Sequence, residues 1–482
     1  MKAWKVTITL QEPFCCAQRP VVGNEIESVD HIPATVLRGA LAQWLAAKGR
    51  AHELAEWFGL DNAPQYSPAW PTGPGDHTLV PMPLSYYRDK GDEGFGGRFG
   101  VHNSLWGTPP AQEGDHCFQW TRLASGPVWL AVDSSGQPVA ALRAELEAAM
   151  HVALHYGRQS SREGALFSRA ALKAGTTLVS YVAAPDGVPR NGWPAEPITV
   201  FLGKRRSAGN GMAQLTFAPI ARLPWQAWTA QPPPAGDQRP QAVVQLLTDT
   251  LVPSEHGGWL RGLDEAAWQR ILGLNDLKVE AAFSAFKAIM GWSVTWGLPR
   301  EQSTAIVAGS CWRISSADPD FKNKLADLAQ NGLGVRRNEG FGWVAVNPVW
   351  LLSGSDGSRF GHGSSLKIGS PKSTGEPLPW PAAAGIERDR VRKLVQLARQ
   401  IEAQVSGVEG ARPKLVGLCN YAKRQANSQA VQEFVGAFAG REHPRGWDKI
   451  KEALACAFGE CSEINELRFL LEVVAGLLPR QE

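Results

Sequence analysis

The sequence predicts an α+β protein: two units built on a similar plan, then a C-terminal helical module. Three observations carry that expectation. An alternating strand followed by an amphipathic helix opens the chain, and the plan returns loosely past residue 241. Each unit closes on a glycine-rich segment with a paired arginine. Past residue 387 the apolar pattern becomes wholly helical.

Residues 3–10, AWKVTITL, alternate apolar and polar and read as a half-buried strand. A loop ending in Asp30, His31, Ile32 and Pro33 leads to a helix over residues 34–45. Its Val36, Leu37, Leu41, Trp44 and Leu45 form an apolar stripe, and Pro33 suits its start. Residues 61–135 are rich in Pro, Gly and Trp without a sustained period, and read as a large insertion with short strands. Residues 140–150 return to a helical pattern. Residues 178–182 and 198–202 read as strands, and residues 219–241, with Pro232, Pro233 and Pro234, as a linker. This bounds a first domain at 1–220.

The second domain, 241–352, holds a strand at 241–248, a helix at 264–272, strands at 303–308 and 311–314, a helix at 322–330 and a strand at 343–347. Residues 353–386 are Gly/Ser/Pro-rich and read as a second linker. In the module at 387–482, one stripe comprises Val391, Leu394, Val395, Ala398, Ile401 and Val405. Ile450, Leu454 and Phe458 make another, as do Ile464, Leu467, Leu471 and Val474, which predicts a small bundle.

Composition excludes several classes. The chain has 482 residues, 44% of them apolar and 20% charged, which suits a globular protein and not a disordered one. Its 49 basic and 46 acidic side chains leave a net charge of +3, so it is no polycation, though a local basic patch is open to it. Seven cysteines without a C-x-x-C pair suggest neither a disulfide framework nor a zinc ribbon. No apolar run reaches the ~20 residues that cross a bilayer, and the first residues lack a signal-peptide core. The expectation is a cytoplasmic protein with reduced thiols and no membrane partner.

The glycine-rich segments are the most informative local features. The first carries Gly203, Lys204, Arg205, Arg206, Gly209 and Gly211; the second carries Gly332, Gly334, Arg336, Arg337, Gly340 and Gly342. Glycine lets backbone approach a phosphate closely, and successive N–H groups in such a turn make an anion-binding concavity. The arginines can add charge-assisted bonds to phosphate oxygens. Neither segment is a dinucleotide fingerprint, because each leads toward a strand and not into a helix. The chain has no G-x-x-x-x-G-K-[ST] sequence, so ATP binding is not indicated. The plain alternative is a pair of tight turns with solvated arginines. Two segments of one grammar in two units weigh against it.

Four stretches carry a resemblance: residues 32–42, IPATVLRGALA; residues 164–178; and the two glycine segments, with Gly309 and Ser310 upstream of the second. On these the chain resembles the RAMP superfamily of CRISPR type III effector complexes. Within it, the chain looks like the subunit that holds the 5′ handle of the CRISPR RNA (crRNA) in subtype D systems. The resemblance spans residues 1–350. It implies two ferredoxin-like, RNA-recognition-motif-type folds, each with a glycine loop near its end. It also implies crRNA, a large subunit and backbone RAMP subunits as partners, target RNA by way of the complex, and no cofactor. Ala34 departs from the family's usual glycine. The insertion carries Cys117 alone, so a metal-binding insert is not supported. The tail has no clear counterpart and reads as a fused, small-subunit-like module.

Besides the two glycine segments, the candidate RNA ligands are Arg38 and Arg158. Arg38 suits a phosphate or a buried carboxylate equally. Arg158 lies in the polar, basic stretch 157–164. A catalytic alternative rests on Asp30, His31 and His155. Related backbone subunits use a loop aspartate to help cleave target RNA, and related RAMP ribonucleases often rely on a histidine. His151 and His155, four apart, would share one helix face. The plainer readings are a helix-start aspartate in the dipole field and two partly buried histidines. Trp70, Trp106, Trp120 and Trp129 can stack on unpaired bases, although most tryptophans are core anchors. In the tail, residues 387–424 hold nine Lys/Arg against four Asp/Glu, and residues 425–482 hold six against nine. That gradient suits RNA on one side and a protein neighbour on the other, or a plain solvated surface. The resulting expectation is a non-catalytic RNA-binding scaffold, with a RAMP endoribonuclease as the alternative.

Overall fold

The computed structural model describes residues 2–361 except 18–24, 27, 60–62, 74, 76, 93–94, 125–127, 155–160, 204–209, 235–238 and 294–297. Beyond them it describes the helix Arg388–Val405 and scattered positions as far as Val474. The chain divides into two compact units, Met1–Gly375 and Glu376–Glu482.

The first half of the larger unit is organised by β1 (Lys2–Leu10) and α1 (Ala34–Ala47). Val6, Ile8 and Leu10 of β1 are buried on one face, as alternation requires. Ala34, Leu37, Ala40, Leu41 and Leu45 of α1 bury the stripe that packs onto them. Each leucine so buried contributes about 1.5–3 kcal/mol. Then follow β2 (Gln65–Tyr66), β3 (Trp70–Pro71), the hairpin β4 (Leu146–Leu154) and β5 (Ser161–Leu172), β6 (Thr177–Ala184), β7 (Ile198–Phe201) and β8 (Met212–Ile220). The main sheet runs β7-β8-β1-β6, with β2 and β3 both on the far edge of β6 and every pairing antiparallel.

The second half contains β9 (Gln241–Leu246), α2 (Glu265–Leu272), β10 (Leu277–Phe283), the hairpin β11 (Phe286–Ile289) and β12 (Ser303–Ile306), β13 (Cys311–Ser316), α3 (Phe321–Asn331) and β14 (Val344–Val346). Asp264 caps α2 by accepting from the Ala267 N–H, and Gly273 ends it in the left-handed region. The sheet order is β10-β13-β9-β14. Counted within the half, that is second, third, first and last, with a helix after the first strand and another before the last. The first half repeats this order, but β7 stands among its described residues where the second half has α3.

One expectation changes. Residues 140–150 are extended: Pro138–Leu142 is a strand, and β4 pairs with β5 from Leu146 opposite Leu172 to Leu154 opposite Ser161. The Ala- and Glu-rich sequence favours a helix locally, but pairing with the next strand overrides it. Residues 61–135 carry the expected short strands and pack into the body. Trp70, Leu79, Val80, Trp129 and Leu130 share one core with Tyr181, Trp225, Val243, Trp343 and Trp350. Residues 219–241 are anchored by Trp225, whose ring lies 5.1 Å from Tyr181, 5.5 Å from Trp343 and 5.8 Å from Trp70. That tryptophan anchors the expected linker in the core. Strand β12 falls within the expected strand at 303–308, whereas β10 and its hairpin partner β11 were not foreseen.

In the smaller unit, Leu394, Ala398, Ile401 and Val405 are buried along the helix Arg388–Val405. Ile450, Leu454, Leu467, Leu471 and Val474 are buried too, whereas Phe458 and Ile464 lie outside the described residues. Among the described residues no helix is long and apolar enough to cross a membrane.

Candidate nucleic-acid interface

The two glycine segments are closed by the same backbone device. In the first half the Leu202 N–H donates to the Gly211 carbonyl at 2.7 Å; in the second the Leu333 N–H donates to the Gly342 carbonyl at 2.8 Å. The neck is so narrow that a Cβ on Gly211 would stand 2.0 Å from the Leu202 oxygen, and one on Gly342 1.9 Å from the Leu333 oxygen. Each closing glycine also donates its N–H at 3.0 Å, Gly211 to the Pro13 carbonyl and Gly342 to that of Asp249. The residue after each leucine, Gly203 or Gly334, has a positive φ of 72° or 80°. Both loops therefore run between a leucine–glycine pair and a closing glycine at the same spacing, just before the last sheet strand.

This register sets Arg205 and Arg206 opposite Arg336 and Arg337, and Ala208 opposite Glu339. Lys204, Arg205, Arg206 and Gly209 lie outside the described residues, as do His155 and Arg158. The second loop is described throughout. Gly332 ends α3, Arg336 sits in the left-handed region at φ 57°, and a short turn over Arg337–Glu339 leads to Gly340.

The second loop gathers positive charge around one carboxylate. Glu339 Oε2 accepts from Arg336 Nη2 at 2.6 Å and from Arg300 Nη1 at 3.2 Å. Burial alone raises the Glu339 pKa, but Arg336, then Arg300 and Arg38, hold it below the ordinary carboxylate range. Arg38 donates to the Phe58 carbonyl at 2.9 Å and stacks 5.6 Å from the Phe58 ring centre. Burial, with Arg300 adding, holds its guanidinium below its ordinary value. Three arginines facing one carboxylate leave a basic surface that a phosphate can join. Arg337 donates to the Asn331 carbonyl, and Arg336 also lies 5.0 Å over the Phe341 ring.

The same loop is clasped to the first half. Asn338 Nδ2 donates to the Gly59 carbonyl at 3.0 Å, and Gly340 packs against Ala34 at the start of α1. Sequence reasoning found the loop but missed Arg300 and Glu339. Arg300 comes from beyond β11, so no local pattern marks it. Glu339 differs from its counterpart Ala208, and aligning the two loops residue by residue would have shown it.

The catalytic candidates are placed as follows. Asp30 is 8% exposed; its Oδ2 accepts from Trp129 Nε1 at 2.5 Å and its Oδ1 lies 2.9 Å from His31 Nδ1. Burial alone raises its pKa, but hydrogen bonding and charge from His31, with the Trp129 bond, leave it lowered. The His31 ring stands edge-on to Trp129, 6.0 Å between centroids. His151 lies on strand β4 with its backbone opposite Phe167, and not on the expected helix. Among the described residues no three His, Cys, Asp or Glu side chains cluster as a metal site. Of the tryptophans, Trp70 and Trp129 are core residues; Trp106 donates to the Leu351 carbonyl at 2.7 Å, and Trp120 stacks 4.7 Å from Phe118.

No protein-family model matches the chain, and no curated protein matches it. Solved structures show a likeness at low identity. A chain in the type III-B Cmr-beta structure bound to cognate target RNA is 13% identical with a TM-score of 0.34, covering 70% of this chain and 95% of that one. Thermus thermophilus Cas6 is 9% identical with a TM-score of 0.30, covering 72% of this chain and 97% of its own. Oligomeric Cmr4 from Pyrococcus furiosus is 11% identical with a TM-score of 0.21, covering 46% of this chain and 100% of that one.

Proposed function

We propose that this chain is a non-catalytic RNA-binding subunit of a type III CRISPR effector complex. In this reading it holds the repeat-derived 5′ handle of crRNA and caps the guide filament for antiviral defence. The observation that carries the reading is the pair of identically closed glycine loops, each with two arginines at the same register, one per half. The repeated strand order supports treating the halves as two ferredoxin-like folds. The resemblance in residues 32–42 and in the loops supports crRNA as the ligand. Its partners would be the large subunit, backbone RAMP subunits and, by way of the complex, target RNA, in the cytoplasm. Affinity would come from phosphates and unpaired bases, and guide–target pairing would supply specificity. Filter binding of the purified chain to single-stranded repeat RNA tests this: salt-dependent binding is expected, and none at low salt would refute it.

One observation favours the ribonuclease alternative. Asp30 lies beside His31 in a geometry that can orient an imidazole as acid or base. A cleavage assay on repeat RNA decides it. On the scaffold reading His31→Ala leaves any cutting unchanged, and a clean loss of cutting with binding intact supports the enzyme.

A further inference from the structure

Far along the chain from either glycine loop, rings and guanidinium groups gather on one face of a small sheet. Strand Trp120–Arg122 pairs with Tyr86–Asp89, which pairs with His102–Asn103, each time antiparallel. The register sets Trp120 opposite Asp89 and Arg122 opposite Tyr87. Alternation sends Tyr86 and Leu123 into the core and leaves Tyr87, Asp89, Trp120 and Arg122 on the other face.

The rings there form a row. Phe99 lies flat on His116 with 4.1 Å between centroids, and Phe118 lies flat on Trp120 at 4.7 Å. The His116 and Phe118 rings meet edge to face at 4.9 Å. Arginines flank the row. Arg98 lies 5.1 Å over Phe99, and Arg359 lies 5.1 Å over Phe118. Arg122 lies 5.8 Å over Tyr87, whose hydroxyl accepts from its Nε at 2.8 Å. Arg98 and Arg122 are exposed, whereas Phe99, His116 and Trp120 are half-buried.

Beside His116 opens a cavity of about 350 Å³, lined by Asp89, Lys90, Gly91, His116, Cys117 and Gln119. The buried Asp89 fixes this end of the row: its Oδ2 lies 2.8 Å from His116 Nε2, and its Oδ1 accepts from the Gln119 N–H at 2.8 Å. At the other end Trp120 Nε1 donates to the Pro110 carbonyl at 2.6 Å. Of the nearby carboxylates, Asp92 accepts from the Phe99 N–H at 2.9 Å, Glu113 pairs with Arg359, and Asp115 lies on the turn of the adjoining hairpin.

A core closes over its rings, but here three stay half open beside exposed cations, and an exposed cation–π pair adds little to folding. A single RNA strand complements the arrangement. Every base has a π-face whatever its identity, and each phosphate carries the charge that Arg98, Arg122 and Lys90 attract. Rings already held in place need little ordering when a base arrives.

We propose that this face is a stacking platform for unpaired nucleotides of a single RNA strand, engaged through rings and charge and not through base identity. Trp120 and Phe99 offer their rings to bases, while Arg98 and Arg122 take phosphates. That the strand belongs to a guide or its target rests on the function proposed above; the platform itself does not.

The test uses the full chain with two probes, oligouridine and single-stranded repeat RNA. Trp120→Leu keeps apolar bulk and removes the ring, whereas Trp120→Phe keeps a ring. Arg98→Gln combined with Arg122→Gln removes two exposed charges. Thermal melting checks that each variant folds. Trp120→Leu should bind oligouridine more weakly by about fivefold or more, and Trp120→Phe should recover most of the loss. The arginine pair should weaken binding and flatten the log-affinity against log-salt slope by roughly 0.7 for each phosphate lost. If Trp120→Leu fails to fold, the arginine pair carries the comparison. Wild-type affinity for oligouridine in the folded variants overturns the platform, as does a wild type that takes repeat RNA but not oligouridine. Lost co-purification with other subunits while oligouridine binding stays intact gives the face to a protein and overturns it too. If the variants lose oligouridine as expected but the wild type binds repeat RNA no more tightly than oligouridine, the platform stands and the handle reading falls.

Discussion

Gly340 lies against Ala34 so closely that a Cβ added to the glycine would stand 2.2 Å from the alanine Cβ. The approach joins the loop at the end of the second half to the start of the helix that opens the first. Tyr66 reinforces it, with its carbonyl oxygen 2.9 Å from the same point.

Gly340→Ala is therefore expected to destabilise the protein by about 2–4 kcal/mol, combining overpacking with a side chain at positive φ. Adding Ala34→Gly should restore part of the loss by removing the clash while leaving the strain. Denaturant titration of the single and double variants checks this. No recovery in the double variant would mean that the helix start and the loop do not press on one another.

Gly211→Val and Gly342→Val should each lower the melting temperature. Both put a Cβ within 2.0 Å of a leucine carbonyl oxygen at the loop neck. These glycines serve backbone closure before ligand access. A Gly211→Val protein that melts like the wild type yet loses RNA would reverse that order.

Glu53 offers a pH test. Arg50 holds it with two bonds of 2.6 Å, and that hydrogen bonding outweighs burial, lowering its pKa to about 2. A carboxyl depressed on folding adds stability that is complete above its unfolded pKa and is lost as pH falls through the folded one. Glu53→Gln should thus melt below the wild type at neutral pH, with the gap closing between pH 4.5 and about 2. A gap that does not change with pH would assign the effect to packing.

What the sequence made legible follows from range. Strand β1 and helices α1 and α2 announce themselves because alternation, stripe and cap all lie within a few residues. The glycine necks were legible for the same reason, since spacing is local. Strand β4 was not, because an Ala/Glu-rich stretch reads as helix until residues 161–172 pair with it. The partners of the loop charges were not legible either. Arg300 reaches Glu339 from a separate hairpin, and Trp129 reaches Asp30 across 99 residues.

Deleting residues 387–482 should leave binding of short repeat RNA within a few-fold and weaken incorporation into the complex. The buried stripe on Arg388–Val405 belongs to a unit that clusters apart from Met1–Gly375, and so small a module gains from further burial on assembly. Filter binding and co-purification of the same truncation check it together. Collapse of RNA binding with co-purification intact would give the tail the other job.

The central claim is that the glycine-loop arginines hold RNA phosphates, and a salt titration of RNA affinity tests it most directly. Binding of single-stranded repeat RNA is measured for the wild type and for a variant with Arg205, Arg206, Arg336 and Arg337 changed to alanine. The account predicts weaker binding and a log-affinity against log-salt slope flatter by roughly 0.7 for each phosphate that the variant no longer neutralises. Unchanged affinity and slope in a variant that still folds would contradict it.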